Sequence, residues 1–263
     1  SNAAPTIFQK VSKVDGGGCG LTSIGAIYCW GDNNYGRVGD GTISGRLVPT
    51  LVTGSGMSPY IFNEISTSRM TSCGLTSIGA AYCWGDNSGG QVGDGAAASG
   101  KLTPSLVVGS GSSPLVFTQI SSGFMHVCAL STTGAIYCWG YNNYGQIGDG
   151  TTGINRWVPT LVTGSGFSPM VFSQVSSGAT SSCGLTITGA VYCWGTNNYG
   201  QLGNGSTINS YTPVAVSGSG GALVFTQISS GYSHNCGVTT TGAAYCWGVN
   251  ASGRLGDGTT TNR

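Results

Sequence analysis

Residues 123–150 read G-F-M-H-V-C-A-L-S-T-T-G-A-I-Y-C-W-G-Y-N-N-Y-G-Q-I-G-D-G. Two short apolar runs, V-C-A-L at 127–130 and A-I-Y-C-W at 135–139, flank the turn residues S-T-T-G, which predicts two strands joined by a tight turn. Upstream, L-V-F-T-Q-I at 115–120 supplies a first strand, and S-S-G-F-M-H turns the chain into the second. Downstream, past a glycine-rich loop, W-V-P-T-L-V at 157–162 supplies a fourth strand that carries Pro159. Proline cannot donate to a ladder, so this strand is expected at a sheet edge. Four short strands with turns between them make one blade of a β-propeller.

The unit recurs. Tryptophan in the string Y-C-W-G falls at Trp30, Trp84, Trp139, Trp194 and Trp247, spaced 54, 55, 55 and 53 residues apart. A repeat of this size cannot bury both faces alone and must stack on copies of itself. The expected architecture is an all-β propeller of five four-stranded blade repeats, about 4–57, 58–112, 113–167, 168–221 and 222–263, in a closed or nearly closed ring. Fourth strands are expected near Pro49, Pro104, Pro159 and Pro213, which leaves the last blade without one. Arg263 stands where Arg46, Lys101 and Arg156 stand, three places before the strand proline, so a longer natural protein is the favoured explanation. Ser1, Asn2 and Ala3 read as the remnant of an expression tag.

Each unit carries two cysteines ten residues apart: Cys19 and Cys29, Cys73 and Cys83, Cys128 and Cys138, Cys183 and Cys193, Cys236 and Cys246. If Cys19 faces Cys29, then Leu21 faces Ile27 and Thr22 faces Ala26, leaving the loop Ser23, Ile24 and Gly25. Three-residue hairpin loops want a left-handed residue last, and glycine recurs there as Gly79, Gly134, Gly189 and Gly242. Turn and cysteine register therefore agree, and cross-strand neighbours lie within reach of a disulfide. Five intra-blade disulfides are expected. Buried free thiols are the rival reading, and zinc is disfavoured because each unit offers two sulfurs where a structural site wants four ligands.

Composition bounds the function. Charged residues are only 6% of the chain, but apolar residues reach 39%, so low charge here does not mean disorder. Nine basic and eight acidic residues give a net charge of +1, which provides no basic face for nucleic acid. No apolar run approaches the length of a membrane span. Dense cysteine pairing predicts an oxidising compartment: secreted, cell-surface or periplasmic.

The stretch Gly123–Gly150 resembles the regulator of chromosome condensation repeat family, and the fifth unit matches from Gly231 through His234 to Gly258. The resemblance covers nearly the whole chain and implies propeller blades. It departs in two ways. Histidine holds its family position only at His126 and His234, with Gly17, Thr71 and Ser181 elsewhere, and family members usually have about seven blades. The nuclear founder is a nucleotide exchange factor that binds chromatin, a role that disulfides and a missing basic surface disfavour here. Secreted bacterial relatives, including a protein inhibitor of β-lactamases, are the closer comparison. The resemblance implies that the histidine braces its blade near the central shaft.

No catalytic constellation is legible: there is no G-x-S-x-G elbow and no phosphate loop, so no enzyme and no cofactor are expected. Asp40, Asp94, Asp149 and Asp257 recur in G-D-G, and Asp32 and Asp86 precede asparagines, a spacing that suits calcium. The loops lack a later acidic ligand, so turn-stabilising aspartates are favoured over a metal. Unlike positions between like repeats are free to specialise. Between the first and second strands stand Asp15-Gly16, Arg69-Met70, Phe124-Met125, Ala179-Thr180 and Tyr232-Ser233, expected on one face near the shaft. Aromatic, methionine and arginine side chains suit a protein-binding hot spot. Tyr141, in the varied place after Trp-Gly, joins this candidate set. The expected function is a binding or scaffold module for another protein. Neutral loop drift is the bland alternative, a carbohydrate-binding propeller using edge tyrosines and asparagines the first rival, and an exchange-factor-like regulator the second.

Overall fold

The computed structural model describes residues 6–14, 16–58, 60–97, 100–112, 115–168 and 170–263. Sheet one comprises β1 (Lys10–Val14), β2 (Gly17–Leu21), β3 (Ile27–Gly31) and β4 (Arg46–Leu51). Sheet two is β5 (Phe62–Thr67), β6 (Thr71–Thr76), β7 (Ala81–Gly85) and β8 (Lys101–Leu106). Sheet three is β9 (Phe117–Ser122), β10 (His126–Ser131), β11 (Ile136–Gly140) and β12 (Arg156–Leu161). Sheet four is β13 (Phe172–Ser177), β14 (Ser181–Thr186), β15 (Val191–Gly195) and β16 (Ser210–Ala215). Sheet five has three strands: β17 (Phe225–Ser230), β18 (His234–Thr239) and β19 (Ala244–Gly248). Each sheet is antiparallel with strands in chain order, and each boundary in sheet three lies within two residues of the sequence reading.

The fourth strands lie at the sheet edges, as their prolines require. Opposite Trp139 the ladder bulges: Cys138 pairs with Thr160 and Gly140 with Arg156, so Pro159 sits in the irregularity and costs no rung. The hairpins keep the expected register, with Cys19 opposite Cys29 and Leu21 opposite Ile27. Thr22 N–H donates to the Ala26 carbonyl at 2.9 Å, and Gly25 takes φ +77° to close the turn. All ten cysteines are bonded in the five intra-blade pairs.

First strands pack on first strands around a common axis, β1 on β5, β5 on β9, β9 on β13 and β13 on β17. No strand of sheet five makes comparable contact with sheet one among the described residues. The apolar cores lie between sheets. Cys73, Leu75, Ala81, Val92 and Val107 of sheet two pack on Phe117, Ile120, Val127 and Trp139 of sheet three, and the pattern repeats at each seam. Stacking is thus what buries each blade's face.

Polar groups stitch the same seams. Trp84, Trp139, Trp194 and Trp247 each donate their indole N–H to a carbonyl of the preceding blade, that of Arg37, Gln91, Gln146 and Gln201. Nearer the axis, the hydroxyls of Ser12, Ser66, Ser121 and Ser176 accept the backbone N–H of Thr67, Ser122, Ser177 and Ser230 in the next blade.

A second row, one residue per first strand, shows a local departure. Gln174 donates its amide to the Ile228 carbonyl and accepts the Ile228 N–H, both at 2.9 Å, and Gln119 accepts the Val175 N–H at 2.8 Å. Sheet two places Glu64 in this row. Burial pushes its carboxyl up from 4.5 to about 7, opposed by the Lys10 charge and the Ile120 N–H. A protonated carboxyl can imitate glutamine; a carboxylate cannot. Because the folded-state value is raised, this group's contribution is full below the unfolded value and is lost as pH rises through 7. Glu64→Gln is therefore expected to stabilise the protein at pH 8 by on the order of 2–3 kcal/mol, and to change little at pH 4. Urea titrations at the two pH values measure this; equal effects at both would refute it.

Candidate functional site

The first-to-second-strand loops of sheets two to five converge. They line a depression of about 300 Å³ that includes Arg69, Phe124, Ala179 and Tyr232, with Ser122, Ser177 and Ser230 at the ends of the first strands. Neighbouring loops bond to one another: Phe124 N–H donates to the Gly178 carbonyl at 3.3 Å and Ala179 N–H to the Tyr232 carbonyl at 3.1 Å. Because the intervening position is the small Ala179, the rings of Phe124 and Tyr232 meet edge to face across it, centroids 6.0 Å apart. Tyr232 is 66% exposed, whereas Phe124 is half-buried, so the pair presents one anchored ring and one open ring.

The candidate residues divide. Arg69, Phe124 and Tyr232 line the depression, and among the described residues Arg69 is its one charged lining residue. Met70, Met125 and Tyr141 stand just outside the lining. The carbonyls of Met70 and Met125 accept the N–H groups of Asp86 and Tyr141, which ties each first loop to the stretch after Trp-Gly. The Tyr141 ring packs on Tyr144 at 6.3 Å, and its hydroxyl accepts from the Asn143 amide. Asp15 lies outside the described residues.

Two supporting residues were not singled out from sequence. Arg37 takes the place that Gln91, Gln146 and Gln201 hold in later blades. It is buried, pairs with Asp32 at 3.3 Å and donates to the Arg69 carbonyl at 2.6 Å, which fixes the loop carrying Arg69. The break in the glutamine pattern was the available signal. Ala179 is the other, a small residue whose role exists only because its neighbours are large.

Beneath the depression His126 is fully buried. Its Nε2 lies 2.8 Å from the Ser182 hydroxyl, which itself donates to the Gln146 carbonyl, so Nε2 carries the hydrogen. Burial lowers its pKa to about 4, which keeps the ring neutral. A neutral ring locked between blades braces the seam. The G-D-G aspartates are likewise engaged. Asp94 pairs with Lys101 at 2.9 Å, Asp257 with Arg263 at 2.8 Å, and Asp40 and Asp149 with Arg46 and Arg156. Burial alone would raise Asp149, but hydrogen bonds from Thr151 and Arg156 outweigh it and leave the carboxyl lowered. Asp40, Asp94 and Asp149 thereby clasp the starts of β4, β8 and β12, whose first residues are Arg46, Lys101 and Arg156. Among the described residues no group of three or more His, Cys, Asp or Glu is gathered as for a metal, and no helix is long and apolar enough to cross a membrane.

Comparison with known proteins places this geometry. The RCC1-like domain matches residues 2–263. Ultraviolet-B receptor UVR8 of Arabidopsis thaliana is 28% identical over 243 residues, which cover 92% of this chain and 53% of the receptor. Human E3 ubiquitin-protein ligase HERC2 is 31% identical over 260 residues, 97% of this chain and 5% of the ligase. This chain thus spans about half the length of the one relative and a small part of the other. Among solved structures, human WBSCR16 superposes with a TM-score of 0.80 at 23% identity, covering 97% of this chain and 65% of that one. Yeast RCC1 (Prp20), in its complex with Kap60, gives 0.81 at 20% identity, covering 97% and 59%. These likenesses establish the fold.

Proposed function

This chain belongs to the RCC1-like domain family, and from that membership we propose a non-enzymatic module that recognises another protein through the loops of one propeller face. The carrying observation is the Phe124–Tyr232 ring contact beside Arg69, over a depression built by four blades. Aromatic anchors next to an arginine, on loops held rigid by backbone bonds, are what concentrates binding energy at protein interfaces. Yeast RCC1 was crystallised with a protein, Kap60, which favours a protein partner for this chain as well. The fold is a protein-interaction or exchange-factor-like one, and the disulfides favour the binding role in an oxidising, extracellular setting over exchange on a nuclear GTPase.

One observation favours the carbohydrate reading: Tyr141, Asn143 and Tyr144 form an aromatic and amide cluster outside the lining of the depression. Parallel screens on an array of secreted proteins and on a glycan array separate the two. The expected result is a protein ligand whose affinity falls by about 30-fold or more in Phe124→Ala/Tyr232→Ala, the scale of a hot-spot loss. Binding to glycans alone, unchanged by that double variant, would overturn the proposal.

A further inference from the structure

A separate cavity of about 330 Å³ lies at the seam between sheets one and two. Asn34, Tyr35 and Ile43 of the first repeat line it together with Asp86, Gly100 and Leu102 of the second. It shares no lining residue with the depression. Contacts to Leu102 bring the two stretches together. Gly36, at φ +77°, leaves room for that side chain, since a Cβ there would stand 2.4 Å from the leucine Cδ2. Further along, Gly41 N–H donates to the Leu102 carbonyl at 3.0 Å. The loop after β3 is thereby pinned on β8, and Tyr35 and Asp86, remote in the chain, face one hollow.

Among the described residues Asp86 is the one charged group of this lining. Ser88 donates its N–H to Oδ1 at 3.1 Å and its hydroxyl to Oδ2 at 2.8 Å, and the Gln91 amide donates to Oδ2 at 3.0 Å. A carboxylate offers about four acceptor positions, so one on Oδ1 is left open. The counter-charge is missing as well. Asp32 holds the same place in the first repeat and pairs with Arg37 at 3.3 Å. In the second repeat Gln91 stands where that arginine does, and among the described residues no lysine or arginine pairs with Asp86.

Tyr35 supplies a ring beside this carboxylate. It is 44% exposed. Tyr144, its counterpart in the third repeat, packs on Tyr141; Asp32 stands at the place of Tyr141 in the first repeat, and Tyr35 has no ring partner among the described residues. Ile43 and Leu102, both partly exposed, add aliphatic wall. The other seams lack the combination. Gly89 is matched with Tyr141, Tyr144 with Thr196 and Tyr199 with Val249, so a tyrosine and a carboxylate meet in these two places only at the first seam.

We propose that this cavity binds an organic cation, an ammonium or guanidinium on an aliphatic stem, the chemistry of a lysine or arginine side chain. The cation takes the open position on Asp86 Oδ1 and lies over the face of Tyr35, while its stem packs on Ile43 and Leu102. A carboxylate and an aromatic face attract the same charge, and each is weak alone at a surface. Together in one hollow they select a cation over a neutral ligand. The Asn34 amide, also in the lining, offers a further acceptor to an ammonium, which carries three donors.

The probes are acetyl-lysine methylamide and acetyl-arginine methylamide, titrated into the whole protein and followed by amide chemical shifts. Saturable shifts are expected at Tyr35, Asp86 and Leu102. Acetyl-norleucine methylamide, which keeps the stem and lacks the charge, is expected to bind about tenfold more weakly. Asp86→Asn keeps an acceptor for Ser88 and should weaken the lysine probe by about fivefold, and Tyr35→Leu by about threefold. Urea midpoints close to that of the parent show that both variants fold. Putrescine, a free diamine, separates the sources: tighter binding of the amino-acid probes assigns a protein side chain, tighter binding of the diamine a free amine, and both support the cation site. Equal binding of the norleucine probe, undiminished binding in Asp86→Asn, or no saturable shift with any cation would overturn the proposal. So would methyl glycosides that shift these residues where the cations do not.

Discussion

Reduction of the five disulfides is expected to unfold this protein at 25 °C without denaturant. Each bridge closes a hairpin between cysteines ten residues apart, and cross-linking a loop of that size stabilises by about 2–3 kcal/mol through the entropy removed from the unfolded chain. The bridges sit in separate blades, so their contributions should be close to additive. Five of them total roughly 10–15 kcal/mol, which matches the whole stability of an ordinary domain. Far-ultraviolet dichroism and urea titration, with the thiols reduced and alkylated, measure the loss. Removing one pair, Cys128→Ala with Cys138→Ala, should lower stability by about 2–3 kcal/mol. Order of reduction is a second readout: four pairs are buried, whereas Cys236 and Cys246 are half-buried, so the bridge of sheet five should react first. A reduced chain with an unchanged urea midpoint would show that packing between blades suffices alone.

Trp139→Ala is expected to cost about 4 kcal/mol or more, the largest effect of any single substitution proposed here. The indole is fully buried at the seam between sheets two and three and lies against Phe117, with ring centroids 6.1 Å apart. Its N–H donates to the Gln91 carbonyl at 2.9 Å, so truncation leaves a buried acceptor unpaired as well as a cavity. The preceding blade leaves little slack. A Cβ on Gly93, which has φ +72°, would stand 2.7 Å from the indole nitrogen. Trp139→Phe keeps most of the volume and loses the bond, and should cost about 1–3 kcal/mol. Trp157→Ala is the control. That side chain is only half-buried, on an edge strand, and its loss should be much smaller. Urea midpoints of the three variants test the ranking; equal losses at positions 139 and 157 would contradict the seam assignment.

The local structure was legible because every constraint on it lies within about 30 residues. Cys128 and Cys138 set the register, Gly134 sets the turn, and Pro159 selects the edge. Five imperfect copies then separated scaffold positions from free ones, which is how Arg69, Phe124 and Tyr232 came into view as candidates. Which of those candidates share a surface was not legible. Met125 follows Phe124 in the chain and stands outside the depression, whereas Tyr232, more than a hundred residues away, touches the Phe124 ring. Nor does a sequence show that Glu64 occupies a row of glutamines that bond across seams, or that Ala179 is the gap through which two rings meet.

The sequence by itself determined the blade: strand count, hairpin register, disulfide pairing and the repeat that obliges copies to stack. These follow from near-neighbour chemistry, in which alternation, turn conformation and sulfur separation act over a few bonds. Tertiary structure alone decided how the blades meet: the indole-to-carbonyl and serine stitches, the raised carboxyl of Glu64 and the convergence of four loops. Each of these depends on distances between residues about one repeat or more apart, fixed by packing between sheets and by no local preference of the chain.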